Sequence, residues 1–366
     1  MEKTVNIMDQ ASLEFSELTR SQLPALHLLQ NLGYTYLSPR EALALRGGRA
    51  DTVLLESVLL DWLARNNEIQ YHDQRYPFSE ANIHTAVQAL KETLSIGLLR
   101  TNESIFDLLS LGKSLPQSVN GSLKSFSLRY IDWEHPEQNV YHVAEEFAVE
   151  RRGSHETRRP DLVLFVNGIP LGVIECKSPD LKDPITQAIS QQIRNQKEDE
   201  IPALFQYAQL LLAVSGNEAS YATVGTPTRF WSVWKEERDE FEKKVKAIVD
   251  QPLSRSQIQA LYDAFPGKHR MEAVNSLNLP RIVTAQDRAI YSLCRPERLL
   301  ELAYGFTLFD AGEKKIARYQ QYFCVQKILR RIEERDVEGR RSGGVVWHTQ
   351  GSGKSLTMVF LAKAIA

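Results

Sequence analysis

The spacing of apolar positions changes along the chain. Within 11–31 apolar side chains recur at Leu13, Leu18, Leu23 and Leu26, and within 50–66 at Val53, Leu54, Leu55, Val58, Leu59 and Trp62. A third such run covers 79–98. Recurrence at three and four residues predicts amphipathic helices. Residues 101–125 are richer in Ser, Asn and Gly, and the period weakens. From about 126 the texture is that of strands. Residues 125–132 alternate, 139–149 alternate less strictly, and 161–166 and 171–175 are short apolar runs. Between those two runs stands Asn167-Gly168, a strong hairpin signal. A polar helix is predicted over 184–198, then strands over 208–215 and 219–225. Residues 251–310 read as a helical connector. Beyond it come a helix over 314–335, a basic loop, a strand over 344–347, a Gly-rich turn and a final helix over 356–366.

Helices followed by a sheet with an inserted helix predict an α/β layered domain over 1–250. The connector then spans 251–310, and a further domain begins at 311–366. The 366 residues are 43% hydrophobic and 25% charged, enough to build a packed core. The net charge of −2 gives no overall attraction for a polyanion, so any nucleic-acid contact must rest on a local basic patch. The three cysteines, Cys176, Cys294 and Cys324, form neither a zinc-ligand spacing nor a disulfide framework. That usage, with no secretory signal and no long apolar run, predicts a cytoplasmic protein.

The chemical centre is Pro160-Asp161, thirteen residues, then Glu175-Cys176-Lys177. Hydrolysis of a phosphodiester brings an anionic nucleophile to an anion, and a divalent cation offsets that charge. Hard cations take carboxylate oxygens, so Asp161 and Glu175 are candidate ligands for magnesium, with the Cys176 backbone carbonyl as a third. Lys177 is the candidate for orienting water and stabilising charge. Glu175 and Lys177 are two apart on a strand and share a face, while Cys176 points into the core. A two-residue Asn167-Gly168 loop would place Asp161 opposite Ile174 and turn Glu175 away. The site therefore needs a longer loop or a bulge. Pro170 argues for the longer loop, which is the expectation here. Glu56 is a weaker candidate for a carboxylate lent by an upstream helix. Arg151, Arg152, Arg158 and Arg159 are candidate contacts to DNA phosphates. Phe230, Trp231 and Trp234 could stack on bases, but such spacing more often marks core.

The wording around 159–179 resembles the R subunit of type I restriction enzymes, and its Pro160-Asp161 … Glu175-Cys176-Lys177 resembles the PD-(D/E)xK nucleases. The resemblance implies a restriction-endonuclease-like mixed sheet flanked by helices. It implies cleavage of double-stranded DNA coupled to ATP-driven translocation, and assembly with methyltransferase (M) and specificity (S) subunits. It also implies an accessory Gln-xxx-Tyr element, for which Gln191 is the candidate, although Asn195 stands where Tyr is expected.

Near the C-terminus, 348–355 reads His-Thr-Gln-Gly-Ser-Gly-Lys-Ser between a predicted strand and helix. That is the arrangement of a phosphate cradle, with Gly351, Ser352 and Gly353 in the loop, Lys354 for the β/γ-phosphates and Ser355 for magnesium. His348 departs from the general pattern, which wants Gly there. The wording resembles motif I of superfamily 2 helicases and implies the start of a RecA-like P-loop motor. Gln320 is the candidate for an adenine-reading Q-motif. Only twelve residues follow Lys354. This reads as a truncated motor that binds ATP weakly and does not hydrolyse it. The alternative to the nuclease is a motor or assembly fragment with no cutting activity of its own.

Overall fold

A computed structural model describes residues 12, 14–91, 97–236, 238–335, 337–341, 343–347, 349–351 and 353–365. Its centre is a six-stranded mixed sheet whose spatial order follows the chain: β1 (Thr35–Leu37), β2 (Tyr141–Glu145), β3 (Leu162–Val166), β4 (Ile169–Lys177), β5 (Leu210–Ser215) and β6 (Ala219–Ala222). The pairs β1–β2 and β4–β5 are parallel, and the rest are antiparallel. All of β3, and β4 up to Cys176, are buried, which explains their unbroken apolar wording. The crossover from β4 to β5 is helix α1 (Pro184–Asn195), which starts with proline at a position needing no amide donor. Its Gln192 Nε2 donates to Val173 O at 3.1 Å and Leu212 O at 3.2 Å, fixing the helix across the two parallel strands.

The β3–β4 turn corrects one expectation. It is the two-residue Asn167-Gly168 turn, both residues with positive φ (52° and 82°), and Val166 pairs with Ile169. The longer loop is absent because a bulge does its work. Phe165 pairs with Pro170, then Leu164 with Gly172, so Leu171 is the extra residue and Leu162 pairs with Ile174. The next step outward sets Asp161 against Glu175. Pro170 is tolerated because pairing with β5 starts only at Gly172. Gly168 is required: a Cβ there would stand 2.5 Å from Leu55 O, at the start of the helix Glu56–Asn66.

Around the sheet, the helix Leu98–Leu111 and two hairpins (Glu68–Tyr71 with Gln74–Pro77, and Lys113–Val119 with Ser122–Leu128) occupy stretches whose pattern is mostly weak or unread, although the alternation expected over 125–132 falls partly on the strand Ser122–Leu128. The connector is helical, as its pattern suggests, with Arg255–Ala264, Lys268–Ser276, Ala285–Cys294 and Pro296–Gly305. The helix expected from 314 begins later, at Tyr319. A hairpin of Thr307–Asp310 and Glu313–Ile316 precedes it. Lys314 of that hairpin is 5% exposed and donates to Asn102 Oδ1 (2.6 Å), Gln209 Oε1 (2.5 Å) and Ala208 O (3.1 Å). Burial holds its pKa well below the usual lysine range. The expected strand at 344–347 is not seen: among the described residues no strand pairs with it, and Val345 and Trp347 are exposed. No described helix is long and apolar enough to cross a membrane.

Candidate active site

Asp161 lies just before β3, and Glu175 and Lys177 lie at the end of β4, so the bulge brings all three to one place at the open end of the hairpin. Asp161 Oδ2 accepts from the Cys176 amide at 2.6 Å and lies 3.8 Å from Lys177 Nζ. Lys177 Nζ donates to the Cys176 carbonyl at 2.9 Å and lies 3.8 Å from Glu17 Oε2. Gln191, on α1, donates to Glu175 Oε2 at 2.7 Å. The other oxygen, Glu175 Oε1, is buried and has no donor. The Cys176 side chain is buried, away from the carboxylates' face.

The electrostatics follow from burial. Glu175 is fully buried, and desolvation together with the neighbouring Asp161 charge pushes its pKa well above the usual range. Desolvation also raises Asp161, against the opposing pull of Lys177 and the Cys176 amide. The Asp161 charge acts directly on Glu175. Carboxylates only accept, so a proton or a cation shared by the two would relieve the pair. Burial would lower Lys177, but Asp161, Glu175 and Glu17 outweigh it, and the ammonium is held above its usual value. Glu146, beside Asp161, is raised to about 7 by desolvation and by the Asp161 and Glu145 charges. Among the described residues, no three His, Cys, Asp or Glu side chains converge as a metal-binding group. A cation would therefore rest on the Asp161–Glu175 pair, with the remaining ligands from the Cys176 carbonyl and water.

Glu17 and Glu146 were not foreseen. Glu17 precedes a short π-helical segment, Leu18–Gln22, a departure from regular helix often found beside functional sites. Glu146 has φ 49°, an uncommon conformation for a residue other than glycine, and its amide donates to Asp161 O at 2.9 Å. Glu56, the upstream acid considered from sequence, is not at the site. It pairs with Lys91 at 2.6 Å, on the helix under the Gly168 turn.

The arginines of the basic patch have acidic partners. Arg158 forks onto Glu200 (2.6 and 2.9 Å), Arg151 pairs with Glu156 and Glu200, and Arg152 pairs with Glu198. Acids at 198–200 fold back over these arginines. Arg159 is exposed next to Pro160 and acts electrostatically on Glu146. Asn195, where tyrosine was expected, is buried at the end of α1, and its carbonyl accepts from Ile201. Trp234 is core, meeting Tyr221 edge-to-face and Tyr322 at a tilt, Trp231 is partly buried, and Phe230 is 49% exposed.

In the Gly-rich segment, Gly351 and Gly353 have left-handed φ (77° and 82°), and helix α2 (Lys354–Ile365) begins on Lys354 with Ser355 next. Ser352 and His348 lie outside the described residues. Gln320 is exposed in the first turn of the helix Tyr319–Glu333. Its neighbour Gln321 is the residue that reaches the loop, donating to Gly353 O at 3.2 Å.

Comparison with known proteins places these features in context. Residues 14–230 match the family described as Type I restriction enzyme R protein N terminus (HSDR_N). Residues 320–366 match SWI2/SNF2 ATPase. The chain is 33% identical over 267 residues to the putative type I restriction enzyme MjaIXP endonuclease subunit of Methanocaldococcus jannaschii, covering 70% of this chain and 23% of that protein. It is 28% identical over 348 residues to the type I restriction enzyme HindI endonuclease subunit of Haemophilus influenzae, covering 92% of this chain and 29% of that protein. The chain thus spans under a third of the length of these relatives.

Proposed function

Since the chain belongs to the family of type I restriction enzyme R proteins, matched over their N-terminal region, we propose that it carries the magnesium-dependent nuclease site of a type I restriction endonuclease. The reaction is hydrolysis of phosphodiesters in double-stranded DNA, coupled in the intact protein to ATP-driven translocation. One observation carries this reading. Two buried carboxyl groups, Asp161 and Glu175, face each other with Glu175 Oε1 lacking a donor, and Lys177 stands beside them. A buried charge pair of like sign is costly unless a proton or cation joins it.

Asp161 and Glu175 would hold the cation, with the second lone pair of the Cys176 carbonyl available beside the bond from Lys177. Magnesium, when bound, supplies positive charge against the phosphodiester and acidifies water. Gln191 fixes Glu175 Oε2, which leaves Oε1 turned to the site. The Cys176 amide does the same for Asp161 Oδ2. Lys177, whose ammonium is favoured by Asp161, Glu175 and Glu17, would stand where negative charge develops. Arg159 offers an exposed cation for a DNA phosphate. At the C-terminus, Gly351, Ser352, Gly353, Lys354 and Ser355 would begin an ATP phosphate cradle, with Gln320 toward the base. The helix start on Lys354 and the SWI2/SNF2 match support this. Partners on this reading are duplex DNA and the methyltransferase and specificity subunits.

The test is Mn²⁺ calorimetry on the wild type and on Asp161→Ala, with plasmid nicking run beside it. Binding that disappears in the variant supports the metal site. Equal binding in both, or none in either, would sink it.

A further inference from the structure

Arg270 sits in the connector, on helix Lys268–Ser276, more than ninety residues after the last strand residue of the nuclease motif. It is nevertheless buried against the sheet. Its Nη1 and Nη2 donate to the two oxygens of Glu145 at 2.8 and 2.7 Å, and its Nε donates to Leu261 O at 3.1 Å. Glu145 is fully buried at the end of β2. It also accepts from Tyr36 Oη (2.6 Å) and from Gln22 Nε2 (3.1 Å), so all four of its acceptor positions are filled. Gln22 Nε2 lies 3.5 Å from Glu146 Oε1 as well. Glu146 in turn holds its strained backbone by donating to Asp161 O at 2.9 Å, and Phe147 donates to Pro160 O at 3.2 Å. A continuous set of bonds therefore runs from the connector through Glu145, Gln22 and Glu146 to the backbone of Pro160-Asp161.

We propose that Arg270 is a positioning residue for the nuclease site, holding Asp161 in place from the connector through Glu145, Gln22 and Glu146. The inference rests on the reading of Asp161 and Glu175 as the nuclease pair. Stability alone does not account for the fork. A buried arginine–carboxylate pair replaced by apolar groups of similar volume is often neutral or stabilising. What apolar groups cannot replace is the orientation of Gln22 and the left-handed backbone at Glu146. Groups outside the first ligand shell that orient it typically change metal affinity by about 10- to 100-fold.

The experiment compares the whole protein as wild type, Arg270→Lys, Arg270→Met and the double variant Arg270→Met/Glu145→Met. The double variant leaves no unpaired buried charge, so it keeps the comparison readable if Arg270→Met unfolds. Native-state hydrogen exchange is followed at 144–148 and 160–177, with the urea midpoint as the measure of global stability and Mn²⁺ calorimetry alongside. In the double variant, which also leaves Tyr36 Oη and Gln22 Nε2 without their Glu145 acceptor, the midpoint falls, but the Glu146 and Cys176 amides exchange at least about tenfold faster than that global loss accounts for, and Mn²⁺ affinity falls about tenfold or more. Arg270→Lys, which keeps the charge and loses the fork, falls between. Exchange that rises only in step with the loss of global stability, with Mn²⁺ affinity unchanged, overturns the proposal. Wild type that binds no Mn²⁺ sinks the metal-dependent nuclease reading, and the local exchange result then decides the role of Arg270 by itself.

Discussion

Glu175→Gln should make the metal-free protein more stable at neutral pH, although it removes a residue central to the site. In the wild type, Glu175 Oε1 is buried without a donor and faces a second carboxyl group. An unsatisfied buried acceptor costs about 1–3 kcal/mol, and more when charged. An amide keeps the bond from Gln191 by accepting through its oxygen and can donate its N–H to Asp161. The gain expected in Glu175→Gln is therefore on the order of 1–3 kcal/mol at pH 8. The sign with pH follows from the raised pKa values. A carboxyl group whose folded pKa exceeds its unfolded value favours folding while protonated, so stability falls as pH rises from the unfolded value of about 4–4.5. Glu175 and Asp161 are both raised, and Glu146 reaches about 7. The wild type without metal should thus lose stability as pH rises above about 4.5 and on through about 7, where Glu146 titrates, and Glu175→Gln should lose less. Urea unfolding across this range, with chelator and then with Mn²⁺, is the assay. Mn²⁺ at 100 times its Kd should stabilise the wild type by about 2.7 kcal/mol and leave Glu175→Gln unmoved. A variant less stable than wild type at pH 8 in chelator would refute the account of the carboxylate pair.

Gly168→Ala meets Leu55 O and a positive φ together, and should lower stability by more than about 1 kcal/mol in urea unfolding. Arg159→Ala should reduce the salt dependence of duplex DNA binding by about one unit of log–log slope. Arg158→Ala, whose side chain is already forked onto Glu200, should leave that slope unchanged, and an equal fall in both would restore the patch as first read.

The strand pair that carries the candidate site was legible because its information is local. The Asn167-Gly168 turn, the apolar runs and the two-residue spacing of Glu175 and Lys177 all lie within seventeen positions. Parity alone exposed a conflict between a two-residue turn and a shared carboxylate face. It left open how the conflict resolves, since a bulge at Leu171 and a longer loop restore parity equally. What stayed illegible depends on distant partners. Arg151, Arg152 and Arg158 look like an open basic patch until acids some forty positions later fold over them. Glu17 and Glu146 carry no local signal, and only the closure of β2 and of the first helix onto Asp161 brings them in. The Lys113–Val119 hairpin was missed although Asn120-Gly121 marks its turn, because most of its side chains stay exposed and its alternation of apolar residues is weak.

The buried lysine at 314 bears on how such proteins can be recombined. Its three acceptors come from the Leu98–Leu111 helix and the approach to β5, while the lysine itself belongs to the hairpin that leads toward the ATPase-like segment. A chimera joined anywhere between Gln209 and Lys314 would inherit an ammonium from one parent and its cage from another. Asn102, Gln209 and Lys314 therefore mark an inheritance unit that joins the sheet region to the segment after the connector, and exchanges of the N-terminal region between relatives should succeed only where these three travel together.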